Sequence, residues 1–416
     1  MHVLFTFLED AAWSHPGHNI SREISNASAT LTRLGVRITV LTTGPEESCL
    51  RRLDRNLVHL PAPLLRVIPV TRLDEMRLEA LLQSNLSLLA RMASPQLGGE
   101  KIDLVHCFGW EAGLASDLIC QMTGAPLVCT IQDVIRERTP WLTDPQLAYP
   151  RHVERWLIRR CRRLICPDRY MRDKIQDLFL VKDDALAVLP PVPSRIREGD
   201  ERGLSPKGIG QKILYMGPLG PESGVDDLLW ACSQLVSRRA HHLQLFLVTS
   251  ADPLQDLLAR KMIRKLQLAE HVLFLDQIGQ QEALGELFRQ ANLFVMPGKA
   301  EFVGNLVLEA MGNGLPVVAA NCGALAEIIE DGVNGLKFSF GEGRSLLEAM
   351  ETVLLDPDLH RRMALGAHQE ARGWPEVGPL LLKIYQETCA GPPGPERKGG
   401  ETDDLLFPES GGGGGV

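Results

Sequence analysis

Between Asn292 and Phe338 the chain alternates in the manner of strands laid parallel in a sheet. An apolar run, Leu293 to Met296, is cut off by Pro297 and Gly298 and reads as a buried strand. A short loop holding Lys299 and Glu301 follows. Gly304 and Asn305 then open a helical pattern of Leu306, Val307, Leu308, Ala310 and Met311, which stops at Gly312 to Gly314. A second apolar run, Leu315 to Ala320, completes a strand–helix–strand unit. Such a unit sets loop backbone and a helix N-terminus at the carboxyl edge of the sheet, where ligands bind. Gly304 lets the main chain approach a ligand closely, and the free N–H groups after it favour an anionic or hydroxyl-rich one. Glu301 and Glu309 flank this turn. As bare acids they have plain alternatives, Glu309 complementing a helix dipole and Glu301 solvated in a loop.

The same alternation runs along the whole chain. Residues 2–7 read as a strand, Ile20 to Leu34 as a helix ended by Gly35, and Val36 to Thr42 as the next strand. Further strands are expected near Leu57–Leu60, Ile102–His106, Ala125–Ile131 and Arg163–Cys166, with helices such as Arg77–Met92 and Arg151–Arg160 between them. From Leu189 to Gly210 the composition shifts to proline, glycine and charge, as in an interdomain linker. A second series follows at Lys212–Met216, Leu243–Val248, His271–Leu275, Leu293–Met296 and Leu315–Ala320. The expected class is therefore α/β, with parallel sheets covered by helices on both faces. The expected plan is a first domain over residues 1–190, a linker over 191–210 and a second domain over 211–370. A last helix over 371–390 and a disordered tail over 391–416 complete it.

At 416 residues the chain is long enough for two domains. Its formal charge of −8 argues against a general nucleic-acid binder. Nine cysteines occur without metal-ligand spacing, several of them (Cys107, Cys120, Cys129, Cys166, Cys322) in or beside apolar runs. Reduced, buried thiols and a cytoplasmic setting are expected. The opening residues read as a strand followed at once by acids and not as a basic and apolar signal peptide, and no apolar run reaches membrane-spanning length. The Asn-x-Ser matches at Asn26 and Asn85 carry no weight in that compartment.

The stretch from Pro297 onward resembles the signature of the retaining GT4 glycosyltransferases, which have the GT-B fold. That signature holds two glutamates with seven residues between them. Here Pro297, Glu301, Gly304, Glu309, Ala310, Met311, Gly314, Pro316, Val317 and Val318 fall in register with it. Gly323, Glu327, Asp331, Gly332 and Gly335 continue the match. The resemblance covers about residues 1–390 and is looser in the first domain. It implies two doubly wound Rossmann-like domains facing a cleft, and a final helix, opening at Trp374, that crosses back to the first domain. It also implies transfer of a hexosyl unit from a nucleotide-sugar, such as a UDP-, GDP- or ADP-hexose. By the same resemblance Glu309 would hold the ribose hydroxyls, while Glu301 and the backbone of Val303, Gly304, Asn305 and Leu306 would hold the donor sugar.

Several family positions are altered. An Arg and a Lys that neutralise the departing diphosphate are replaced by Pro218 and Ser223, between Gly217 and Gly224. The first-loop glycine pair is Pro16-Gly17-His18. Of a two-histidine stretch only His106 persists, since the second position is Phe108. His106 is a candidate catalytic residue, with a hydrogen-bonded core histidine as the alternative. Lys299 and His18 are candidate replacements for the missing cations. The usual glycines after the second strand of domain two are Thr249-Ser250-Ala251.

Other motifs point elsewhere or nowhere. No dinucleotide or P-loop glycine motif is present, and Asp356-Pro357-Asp358 reads as a helix cap rather than a metal motif. No metal and no cofactor are expected. The basic stretch Arg151 to Arg163 could touch anionic lipid, although a solvated helix face packing Trp156 inward is the commoner arrangement. The expected activity is retaining glycosyl transfer to a glycan, lipid or small-molecule acceptor. The alternative is a GT-B protein that has lost transfer chemistry and serves as a binding subunit.

Overall fold

A computed structural model describes residues 1–8, 20–43, 56–62, 73–92, 100–132, 134, 148–193, 211–238, 242–249, 253–276, 281–299, 304–371 and 374–391. The chain divides into two compact units. One holds the N-terminal segment, Ile20–Pro190 and the chain from Gly378 onward; the other holds Pro191–Val377. Most of the expected linker, and the tail beyond Gly391, lie outside the described residues.

The first unit carries the strands β1 (His2–Leu8), β2 (Arg37–Thr43), β3 (Leu57–Ala62), β4 (Leu104–Phe108), β5 (Leu127–Thr130), β6 (Arg163–Cys166) and β7 (Leu186–Val188). They form one parallel sheet in the order β3-β2-β1-β4-β5-β6-β7. Its helices are α1 (Ile20–Arg33), α2 (Leu73–Met92), α3 (Gly113–Thr123), α4 (Ala148–Arg160) and α5 (Arg169–Phe179). Every residue of β1 and β4 is buried, as in a strand covered on both faces.

The second unit carries β8 (Gln211–Met216), β9 (Leu243–Thr249), β10 (Val272–Asp276), β11 (Leu293–Met296), β12 (Val317–Ala320) and β13 (Gly335–Phe338). Its parallel order is β10-β9-β8-β11-β12-β13. The helices are α6 (Val225–Arg238), α7 (Pro253–Lys265), α8 (Gln281–Gln290), α9 (Gly304–Gly312), α10 (Gly323–Ile328), α11 (Gly343–Leu355) and α12 (Pro357–Glu370). Successive side chains of β8 enter opposite cores. Ile213 and Tyr215 pack with Leu228, Cys232 and Leu346, whereas Leu214 and Met216 pack with Phe288, Val307 and Met311. An apolar run without polar alternation is what two buried faces require.

Local polar contacts fix individual elements. Asp356 accepts from the backbone N–H groups of Asp358 and Leu359, so the Asp-Pro-Asp segment is the N-cap of α12. Asn85 is buried; its carbonyl accepts from Ala115 N at 2.9 Å, and its amide donates to Leu81 O and Glu111 O. Asp117 of α3 is buried and paired with Arg160 of α4 at 3.2 Å. The short strands β7 and β13, three and four residues long, were not foreseen. β7 has only three residues, and β13 opens on Gly335 and carries Lys337, so neither shows the apolar run that marks the other short strands. Among the described cysteines Cys322 is only half-buried and Cys389 is exposed, which corrects the expectation of uniform burial.

The last helix, α13 (Trp374–Ala390), belongs from Gly378 onward to the first unit. Gly378 lies against Thr30, Arg163 pairs with Glu387 at 3.1 Å, and the buried Tyr385 meets His106 Nδ1 at 2.6 Å. Tyr385→Phe would leave that nitrogen buried without its partner, at a cost of about 1–3 kcal/mol. The urea unfolding midpoint should fall accordingly; an unchanged midpoint would mean that the helix is held by its apolar contacts alone.

Candidate functional site

In the second unit the chain runs outward from β8 to β10, then returns to the centre to build β11 to β13 on the other side. The strand order therefore reverses between β8 and β11, and ligands of open α/β sheets bind at the carboxyl end of such a reversal. Two loops emerge there, one after Met216 and one after Met296, and they lie against each other. Lys299 N donates to Glu222 O at 3.1 Å. A Cβ on Gly298 would come within 2.6 Å of Glu222 O and 2.7 Å of Ser223 O. Gly224, at φ +65°, would drive a Cβ into Pro297 O. Only glycine permits main chain to meet main chain in this way.

The first loop is stiff. Gly217 N donates to Val248 O at 3.1 Å, and the buried Tyr215 hydroxyl donates to Pro218 O. Residues Pro221–Ser223 form a single 3₁₀ turn, and Ser223 Oγ accepts from Val225 N at 3.3 Å. The positions where the resemblance placed cations thus hold a proline and a serine used to start α6. Acids surround them: Glu222 and Asp226 are exposed, and Asp227 is half-buried. Burial, with the neighbouring charge of Asp226, holds the Asp227 carboxyl above its ordinary range. Both aspartates sit in the first turn of α6, where they complement the helix dipole. Thr249 Oγ1, at the end of β9 beside this loop, is buried without a hydrogen-bond partner.

The second loop supplies a cation. Lys299 is exposed, and its ammonium stands 5.0 Å from the ring centroid of Phe340, which follows β13 at the same sheet edge. Beyond the loop, α9 begins at Gly304 and continues through Asn305, with Leu306 buried beneath it. Glu309 lies in the second turn, half-buried between the buried Leu308 and Ala310. It is thus not a first-turn acid of the kind that complements a helix dipole. The structure sets Gly217 and Lys299 in the two loops at this edge, and α9 follows the second of them in sequence. Glu301 and Val303 lie outside the described residues, as do Gly17 and His18.

His106, expected as a catalytic candidate, is corrected by its surroundings. It is 1% exposed, with Nδ1 on Tyr385 and Nε2 on Thr130 Oγ1 at 2.7 Å. The ring stacks on Phe108 at 4.0 Å between centroids. Burial lowers its pKa to about 3, so it is neutral and both nitrogens are occupied. These are the marks of a core histidine. Sequence reasoning overlooked a different pair at this edge: Glu23, in the first turn of α1, accepts from Gln132 Nε2 at 3.0 Å just beyond β5. They are 109 residues apart, so no motif links them.

This architecture defines the chain as a GT-B protein, two parallel-sheet α/β units of glycosyltransferase type. Residues 200–370 match the family "Glycosyl transferases group 1", and residues 20–191 match "Glycosyl transferase 4-like domain". The chain belongs to the GT4-like GT-B glycosyltransferases. It is 29% identical over 347 residues to a D-inositol 3-phosphate glycosyltransferase of Nocardia farcinica, covering 78% of this chain and 76% of that one. Sucrose-phosphate synthase from Thermosynechococcus elongatus superposes with a TM-score of 0.71 at 17% identity, over 93% of this chain and 98% of that one. HepE of Anabaena, solved in complex with UDP, superposes with a TM-score of 0.64 at 16% identity, over 93% and 100%. At these identities the two structures speak for the fold.

The Glu23 carboxyl yields a pH test. Burial raises its pKa to about 7, only partly offset by the Gln132 amide. A carboxyl raised in the folded state costs nothing below its unfolded pKa near 4.5, and the cost grows as pH rises toward 7. Glu23→Gln should therefore raise the melting temperature at pH 8, by up to about 3 kcal/mol of stability, and do little at pH 4. An equal shift at both pH values would refute a titrating Glu23.

Proposed function

We propose that this glycosyltransferase moves a hexosyl unit, with retention, from a nucleotide-sugar such as a UDP-, GDP- or ADP-hexose. The acceptor would be a hydroxyl of a glycan, lipid or small molecule. The observation that carries this reading is the loop pair at the β8/β11 reversal, which leads directly into α9 with Glu309 in its second turn. A carboxylate can accept from two vicinal hydroxyls, which suits ribose. Gly304 and the backbone at Val303 to Leu306, with Glu301, would hold the sugar.

In the reaction the bond from the anomeric carbon to the diphosphate oxygen breaks. A bond to the acceptor oxygen forms on the same face, and the acceptor proton passes to the departing diphosphate. The diphosphate leaves with charge that must be met by positive groups. In this chain those would be the positive end of α9 and the ammonium of Lys299. No metal ion or further cofactor enters the proposal.

A second reading rests on Pro218 and Ser223, with Glu222 and Asp226 beside them: a GT-B protein that binds a ligand but transfers little. Loss of one preorganised donor costs on the order of 10² to 10³ in rate, so two such losses weigh heavily. Calorimetry with nucleotides, beside transfer assays over a panel of donors, separates the two. Glu309→Ala should weaken nucleotide binding by about 1.5–3 kcal/mol, as loss of charged hydrogen bonds does. Lys299→Ala should slow transfer at least about tenfold with little change in nucleotide affinity. Nucleotide binding without turnover of any donor would favour the binding subunit.

A further inference from the structure

Two neighbouring helices of the first unit, α3 and α4, turn no acid outward. Across α3 and α4 there are four arginines, Arg151, Arg155, Arg159 and Arg160, and two acids, Asp117 and Glu154, in a chain whose net charge is −8. Both acids are withdrawn from the surface: Asp117 is 1% exposed and Glu154 is 2% exposed. Asp117 is also neutralised by Arg160.

The helices lie side by side on one face of the sheet. Asn85 of α2 binds Ala115 N, a Cβ on Gly113 of α3 would strike Leu157 of α4, and Asp117 pairs with Arg160 four and three residues further along. The contacts advance in step, so α3 and α4 are parallel, as right-handed crossovers require. With one flank of each helix buried, the opposite flanks form a single outer surface. On α4 that flank presents Arg155 and Arg159, both exposed, one turn apart. On α3 it presents Leu118 at 42% and Met122 at 68% exposure, again one turn apart, and α2 adds Leu86 at 48%. Trp156 sits at the border, half-buried, with the Arg160 guanidinium 5.4 Å from its ring.

Isolated exposed apolar side chains need no explanation, nor do isolated arginines. Here exposed apolar groups of α3 and exposed arginines of α4 share a face on which, among the described residues of these two helices, no acid is exposed. No helix among the described residues is long and apolar enough to cross a membrane. We propose that this face, centred on Leu118, Met122, Arg155 and Arg159, docks the protein on an anionic phospholipid surface. The arginines meet the headgroups while Leu118 and Met122 enter the boundary of the acyl region.

The test is co-sedimentation of the full chain with phosphatidylcholine vesicles, with and without phosphatidylglycerol at about one third. Binding should require the anionic lipid and fall as salt is raised. Arg155→Gln with Arg159→Gln should weaken it roughly 30-fold, two arginines near the surface at about 1 kcal/mol each. Leu118→Ser with Met122→Ser should weaken it too, and unlike the arginine loss this effect should persist at high salt. All four side chains are exposed, so melting temperatures should match the parent and certify that the variants fold. Equal recovery on both vesicle types, or undiminished binding by the arginine variant, would overturn the proposal. So would retained binding by the Leu118/Met122 variant together with full displacement by a soluble polyanion, which would assign the face to polyanions rather than to a bilayer.

Discussion

The second unit depends on one pairing, β11 against β8. The chain completes β9 and β10 on one side before it returns to the centre, so strands far apart in sequence become neighbours. That return fixes where the two loops emerge and forces their main chains together. Gly224 and Gly298 are the local answer to this crowding, because each faces a carbonyl where a Cβ would stand. The Lys299–Glu222 backbone bond then holds the second loop in register with the first. A parallel sheet with one reversal creates a single such position, so a site at this edge follows from topology before any side chain is considered.

What the side chains add is an unusual electrostatic setting. Pro218 and Ser223 serve the backbone, one through its carbonyl on Tyr215 and the other through the start of α6. The acids nearby suit a helix N-terminus and do not suit a departing diphosphate. Lys299 and the start of α9 therefore carry the positive charge at this edge among the described residues. Lysine over Phe340 keeps a flexible, multiply donating ammonium, although it lacks the planar two-point grip of arginine.

The first unit shows how the same residue type changes meaning with burial. His106 lies at a strand position that invites a catalytic reading, yet Thr130 and Tyr385 occupy both of its nitrogens. Its work is to tie the last helix to the sheet. Glu23 has the opposite history. It looks like an ordinary first-turn acid, but burial raises its pKa to about 7 against the opposing hydrogen bond from Gln132.

The sequence by itself determined the two α/β series and the order of their strands and helices. It also carried the glutamate signature that names the family. Apolar runs, glycine stops and motif spacing are local properties, and local properties survive in a string of letters. The strands β7 and β13 escaped, since the first has three residues and the second is interrupted by Gly335 and Lys337 rather than being a plain apolar run. Tertiary structure alone decided that Gly224 faces Pro297, that Tyr385 completes His106, and that Glu23 meets Gln132. It also decided that Asp117 and Glu154 turn inward and that Arg155 and Arg159 are the exposed charges of α4. Each of these joins residues distant in sequence, and whether a polar group is satisfied, shifted or exposed depends on what folding brings beside it.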